Sequence, residues 1–319
     1  MTPRMIPSAA LAPAAPLDRT LLAGVMEKVR QIEIRIRGLV DSSLAGSYQA
    51  AFRGRGIDFD SVREYVAGDE VRTIDWNVTA RAGRPFIKQF REERELTLML
   101  LVDVSASGDF GSTDKRKREL AAELACVLAM AAIRNNDRVG LILFSDRIER
   151  FVPPTKGRSH ALRVVREILG CKPTGQGTDL AAALELAGAV SRRRSVMFLI
   201  SDLEVGRDRK TALAALNRVA RPLGAHHDVV AVQIRDPHER ALPDVGLIAV
   251  EDAETGEVVR LDSARRKVRE RFARLAEERA AEVRQLLRRA NIETVEIDTS
   301  RSYVPTLLEF FVGRERRRR

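Results

Sequence analysis

The chain has 319 residues, 45% apolar and 31% charged, which excludes disorder throughout and leaves room for one large domain or two ordinary ones. Lys and Arg outnumber Asp and Glu by 55 to 45, a formal charge of +10, so nucleic acid, an anionic membrane surface and an acidic protein are the partners to weigh. Two cysteines, Cys126 and Cys171, cannot build a disulfide framework and suit a reducing compartment, the cytoplasm.

Residues 1–17 are apolar, free of acids and cut by Pro3, Pro7, Pro13 and Pro16, and read as a flexible tail rather than a signal peptide. From residue 18 to about 45, Leu21, Leu22, Val25, Val29, Ile32 and Ile36 recur at helical spacing, and Gly46 ends the helix. The rest of an N-terminal extension, to residue 95, reads as a small irregular β layer. Gly54, Gly56, Gly68, Gly83 and Pro85 punctuate it, and Phe86-Ile-Lys-Gln-Phe90 alternates as a strand does. Its Arg and Asp residues, from Arg53 to Arg81, read as internal pairs that lock the layer in place; a docking face is the other reading.

From 96 to 312 apolar runs alternate with amphipathic helices. The runs are 96–102, 139–144, 196–200 and 229–234, and each is continuous, as in parallel strands covered on both faces. Helices are expected along the stripe Leu120, Leu124, Val127, Leu128 and Ala131, and over about 159–169, 179–193, 208–221 and 263–290. A hairpin is expected around Glu251–Glu257, a last strand at 292–297 and a short apolar helix from Tyr303 to Phe311. This is an α/β, doubly wound, mainly parallel pattern. The basic runs Lys115–Arg118, Arg192–Arg194 and a tail at 313–319 read as solvated helix ends and a basic terminus. Aromatic residues are only 5% and none alternates with these runs, which disfavours a nucleic-acid groove. No stretch reaches the roughly 20 apolar residues of a membrane helix, which leaves peripheral membrane contact open.

The candidate site begins where the first apolar run ends, at Asp103-Val-Ser105-Ala-Ser107. One carboxylate and two hydroxyls at a strand tip are oxygen ligands of the kind Mg²⁺, or another divalent cation such as Mn²⁺ or Ca²⁺, prefers. Thr178, in Gly175-Gln-Gly-Thr-Asp179, and Asp202, after the run 196–200, complete the set. Each piece also suits a helix cap. Asp103, Ser105, Ser107, Thr178 and Asp202 together resemble the metal-ion-dependent adhesion site of von Willebrand factor A domains. That resemblance implies partner binding through a cation, with a partner carboxylate completing the metal shell. Gly108 stands where such domains often carry a bulky apolar residue, a change that loosens the loop and removes no ligand.

A longer resemblance covers residues 18 to 312. Gly54-Arg-Gly-Ile-Asp-Phe-Asp-Ser-Val-Arg-Glu-Tyr-Val-Ala-Gly-Asp69, Arg72-Thr-Ile-Asp-Trp76 and Thr79-Ala-Arg81 are similar to the signature of domain-of-unknown-function family 58. Asp137-Arg-Val-Gly140, Pro153-Pro154 and Asp236-Pro-His-Glu239 also fit. The resemblance implies a von Willebrand A fold with an N-terminal extension. It also implies a non-enzymatic adaptor or assembly role with a MoxR-type AAA+ ATPase and a target protein.

Other chemistry has little support. There is no Gly-x-x-x-x-Gly-Lys-Ser/Thr loop and no Gly-x-Ser-x-Gly elbow. The four histidines lack zinc spacing, and the dinucleotide-like Gly175-Gln-Gly177 fails at Leu180. The two alternatives that remain are a basic binder of nucleic acid or anionic surfaces, and a metal-dependent hydrolase built on Asp103 and Asp202. The latter lacks an evident general base.

Overall fold

A computed structural model describes residues 44–52, 57–92, 96–113, 115–206, 208–251 and 256–318. The helix expected over 18–45 lies almost wholly outside the described residues, as do the side chains of Arg53, Arg55, Asp58 and Asp60.

In chain order the elements are α1 (Ala45–Phe52), β1 (Ile57–Glu64), α2 (Trp76–Ala82), β2 (Phe86–Glu92), β3 (Thr97–Asp103), α3 (Lys117–Arg134), β4 (Arg138–Phe144) and β5 (Ile148–Thr155). There follow α4 (Arg158–Gly170), α5 (Leu180–Val190), β6 (Val196–Ser201), α6 (Arg209–His226), β7 (Asp228–Arg235) and α7 (Pro237–Arg240). The chain ends with β8 (Leu247–Glu251), β9 (Val258–Asp262), α8 (Arg266–Arg289), β10 (Glu293–Asp298) and α9 (Tyr303–Arg318).

The centre is a six-stranded sheet in the order β10-β7-β6-β3-β4-β5. All its pairings are parallel except β4 with β5. The continuous apolar runs are explained by burial on both faces. Leu98, Leu100 and Val102 of β3 point into a layer with α1, α3, α4 and α9, while Met99 and Leu101 point into a layer with α5, α6 and α8. The same alternation holds in β6, where Val196, Phe198 and Ile200 face one layer and Met197 and Leu199 the other. Fully burying one such side chain contributes about 1.5–3 kcal/mol, so a sheet packed on both faces is the natural minimum for these runs. The expected α/β doubly wound architecture is therefore present.

Four local expectations need correction. Gly46 does not end a helix but lies in the first turn of α1, because Tyr48, Ala51 and Phe52 bury against Phe198 and Phe311. The segment Ile148–Thr155 is a strand that the sequence reading leaves out, and its Pro153 and Pro154 cannot donate to a ladder. It is the antiparallel edge strand, where such residues are tolerated. α6 runs past Pro222 to His226, held by the burial of Leu223 against the sheet. The terminal Arg run is not a free tail: α9 continues to Arg318, and Arg314 is buried. Its guanidinium lies 4.6 Å from the Phe52 ring centroid and pairs with Asp228.

The extension holds an antiparallel β1–β2 pair and the short helix α2, capped by the Asp75 carboxylate accepting from the N–H groups of Asn77 and Val78. Arg63 binds Asp69 through both nitrogens at 2.7 and 2.6 Å, an ion pair internal to the extension. Among the described residues no helix is long and apolar enough to cross a membrane.

Strand order positions the site. From β3 the chain winds one way through β4 and β5, and from β6 the other way through β7 and β10. The reversal falls between β3 and β6, and open α/β sheets form their crevice at such a point, beyond the carboxyl ends of the strands. Asp103 and Asp202 stand at those two ends.

Candidate metal centre

Asp103 is the last residue of β3 and is 7% exposed. One carboxylate oxygen accepts the Ser105 N–H at 2.9 Å and the other accepts the Ser201 hydroxyl at 2.6 Å. The chain then turns, and the hydroxyls of Ser105 and Ser107 come within 3.1 Å of each other. Arg118 on α3 props this turn by donating to the carbonyls of Val104 and Ser105, each at 3.1 Å.

Thr178 arrives on the loop before α5. Ala106 N–H donates to the Gln176 carbonyl at 3.0 Å, tying that loop to the Ser105–Ser107 turn. The loop is fastened from behind by Glu149 of β5, whose carboxylate accepts from Ser145 at 2.6 Å, from Thr174 N–H at 3.0 Å and from Gly175 N–H at 2.8 Å. The Thr178 hydroxyl is buried and has no hydrogen-bond partner among the described residues. Buried polar atoms are nearly always paired, so an orphaned hydroxyl needs an explanation.

Asp202 follows β6 and is 8% exposed. Its carboxylate accepts the Glu204 N–H at 3.1 Å and meets the Lys117 ammonium at 2.7 Å. Between them Leu203 takes a φ of 61°, a left-handed conformation that costs a bulky residue and persists only where the surroundings impose it. The Ser201 hydroxyl accepts the Leu203 N–H at 2.9 Å while donating to Asp103, so one side chain ties the two strand tips together.

Electrostatics split the two carboxylates. Burial pushes Asp103 up to about 6, and the negative Asp202 adds to the rise. Burial works against Asp202 too, but the Lys117 ammonium and donated hydrogen bonds outweigh it and hold that carboxyl below its ordinary value. Glu204 is raised by burial and by the charge of Asp202, and Glu239 by burial.

The helix-cap alternative is settled for two positions. The side chain that caps α5 is Asp179, which accepts from Ala182 N–H, and Thr178 takes no part. Ser105 precedes a short 3₁₀ turn without making a side-chain cap bond. The donor set offers oxygen only: two carboxylates, the paired Ser hydroxyls and the orphaned Thr178 hydroxyl. That chemistry fits a hard divalent cation such as Mg²⁺. Among the described residues no group of three or more His, Cys, Asp and Glu could hold a metal, so a site here depends on its hydroxyls.

Sequence reasoning missed Lys117, Ser201, Glu204 and Glu239. Lys117 belongs to a basic run expected to be solvated, yet it is 3% exposed and its ammonium bridges Asp202 and Glu239, the latter at 2.5 Å. Lys115 also turns inward, 2.6 Å from Glu123. Asp236 is fully buried and accepts from Ser112, Thr299 and His238, which fixes α7 and with it Glu239. Ser107, Glu204 and Glu239 also border a groove of about 830 Å³, whose apolar wall includes Phe110, Ile248 and Phe272.

The chain is 32% identical over 292 residues to an uncharacterized protein of Mycobacterium tuberculosis, covering 90% of this chain and 89% of that one. Among solved structures it is similar to an aerotolerance-related membrane protein from Bacteroides fragilis, at 19% identity, with 68% of this chain and 99% of that one covered and a TM-score of 0.45. A von Willebrand factor type A protein from Catenulispora acidiphila matches at 16% identity over 70% of this chain and 42% of that one, with a TM-score of 0.43. The protein of unknown function DUF58 family matches residues 61–282, and the chain belongs to that family.

Proposed function

We propose that this chain is a non-enzymatic, cytoplasmic interaction protein that engages its partner through a divalent cation, Mg²⁺ in the first instance, held by Asp103, Ser105, Ser107, Thr178 and Asp202. The observation that carries this reading is the buried Thr178 hydroxyl, unpaired and fastened by backbone to the Ser105–Ser107 turn. When bound, the cation would supply an electrophilic contact for a partner carboxylate. The residues of the chain do the rest. Asp103 and Asp202 provide the negative charge, the three hydroxyls provide neutral oxygens, and Ser201 holds the two strand tips at fixed separation. Ser107 borders the groove, so the open side of the site faces a surface large enough for a protein segment.

The partners proposed are a MoxR-type AAA+ ATPase and a target protein, on the strength of the family resemblance. Carboxylate pairing of Lys115, Lys117 and Arg314 supports this reading over a basic nucleic-acid surface, because those three charges are already answered within the fold. The test is affinity capture from native lysate in Mg²⁺, in EDTA, and with folded Asp103→Ala protein. Retention of an ATPase or another protein by wild type in Mg²⁺ alone is the expected result. Equal recovery in all three arms would refute it.

A further inference from the structure

The buried ammonium of Lys117 holds Asp202 in its charged form, and its placement bears on cation binding as well. It enters from the first turn of α3 and is 3% exposed. It lies 2.7 Å from one oxygen of Asp202 and 2.5 Å from Glu239. Asp103, Ser107, Ser201 and Asp202 share a small cavity with it, of about 10 Å³. A lysine is rarely buried to this degree unless its charge is answered, and here two carboxylates answer it. Asp103, Asp202 and Glu239 set three negative charges against one positive, which leaves the charge that one divalent cation neutralises. Glu239 is a third exposed and forms part of the groove wall.

We propose that Lys117 is a tethered internal cation that shares Asp202 with the metal site and sets its cation affinity, with Glu239 as the counterweight. Holding one oxygen of Asp202 keeps the two buried carboxylates apart in charge when no metal is bound. The same ammonium repels an incoming cation and weakens its binding. Glu239 draws part of the ammonium's charge away from Asp202 toward the groove. A group that binds Glu239 from the groove therefore alters metal affinity, which ties cation binding to partner binding. This inference rests on the metal-site reading above.

The signs of two substitutions separate this role from simple positioning. Lys117→Met keeps an unbranched side chain of similar length and removes the charge. Cation affinity should rise by about ten-fold or more, since a unit charge a few ångströms away is a strong repulsion even at a high effective dielectric. Glu239→Gln leaves Lys117 to Asp202 alone, and affinity should fall by about the same factor. If Lys117 merely positioned Asp202, both substitutions would weaken binding.

The experiment is calorimetric titration of MgCl₂ into wild type, Lys117→Met and Glu239→Gln, with thermal unfolding of each in EDTA. Tighter binding by Lys117→Met and weaker binding by Glu239→Gln are expected, with Lys117→Met melting lowest in EDTA and gaining most from Mg²⁺. Wild-type binding with equal or weaker binding by folded Lys117→Met overturns the inference and leaves the metal site standing. Should Lys117→Met fail to fold, unchanged or tighter binding by Glu239→Gln overturns it. Absence of Mg²⁺ binding in all three proteins overturns the metal-site reading and this inference together.

Discussion

Replacing Thr178 by valine separates a ligand from a structural hydroxyl. The substitution exchanges a hydroxyl for a methyl of nearly the same shape and leaves the cap of α5, Asp179, in place. The hydroxyl is buried without a partner, and leaving such a group unpaired costs about 1–3 kcal/mol. In EDTA, Thr178→Val should therefore be as stable as wild type or more stable by about 1 kcal/mol, a rise of about 1–2 °C in Tm for a domain of this size. In Mg²⁺ the order reverses. A cation at a hundred times its Kd stabilises the native state by about 2.7 kcal/mol. Loss of one oxygen ligand that weakens binding ten-fold reduces that increment by about 1.4 kcal/mol. The assay is urea unfolding followed by circular dichroism, with and without Mg²⁺. Destabilisation by 1 kcal/mol or more in EDTA, with an unchanged Mg²⁺ increment, would refute the assignment and return Thr178 to a packing role.

Three further outcomes follow from groups outside the site. His227 accepts the Ser195 N–H at 3.3 Å, and burial, then His226 and Arg194, lower its pKa to about 4. A base with a depressed native pKa stabilises the fold above its ordinary value of 6.5, and that contribution is lost as pH falls toward about 4. Unfolding free energies measured between pH 7 and 4 should drop by roughly 1–3 kcal/mol more in wild type than in His227→Gln. A β-carbon added at Gly224 would lie 1.9 Å from the Ala290 carbonyl oxygen, so Gly224→Ala must push α6 from the end of α8. It should cost about 3 kcal/mol or prevent folding, and a wild-type Tm would contradict the packing. Arg314→Ala leaves the half-buried Asp228 without its guanidinium and uncovers the Phe52 ring. A loss of about 3–5 kcal/mol in denaturant unfolding is expected, and a change under 1 kcal/mol would return Arg314 to the free tail first expected.

How far the sequence reached depended on whether a feature was local. Strands β3, β4, β6 and β7 were legible because burial on both faces demands uninterrupted apolar residues, a signal contained within each run. Asp103, Ser105 and Ser107 were legible because a strand tip and two hydroxyls fall within five consecutive residues. β5 was hidden because an edge strand needs only part of its ladder, and Pro153 and Pro154 removed the usual pattern. α1 was hidden because only Tyr48, Ala51 and Phe52 bury, too short a stripe to show a period. Lys117 was misread for a physical reason: charge runs are normally solvated, and the carboxylates that hold this one stand 85 and 122 residues away in sequence. Only the strand order brings them together. The Thr178 hydroxyl had the same difficulty, since whether it caps a helix or faces a site depends on which neighbour, Thr178 or Asp179, turns toward α5.

The most direct measurement is diffraction from crystals of the full chain grown or soaked in Mn²⁺, recorded where manganese scatters anomalously. The account predicts one anomalous peak within ligand distance of Asp103, Ser105, Ser107, Thr178 and Asp202, abolished in Asp103→Ala crystals and reduced in Thr178→Val crystals when Mn²⁺ is held near the wild-type Kd. Saturating Mn²⁺ with no peak among those residues, or a peak unaffected by both substitutions, would contradict it.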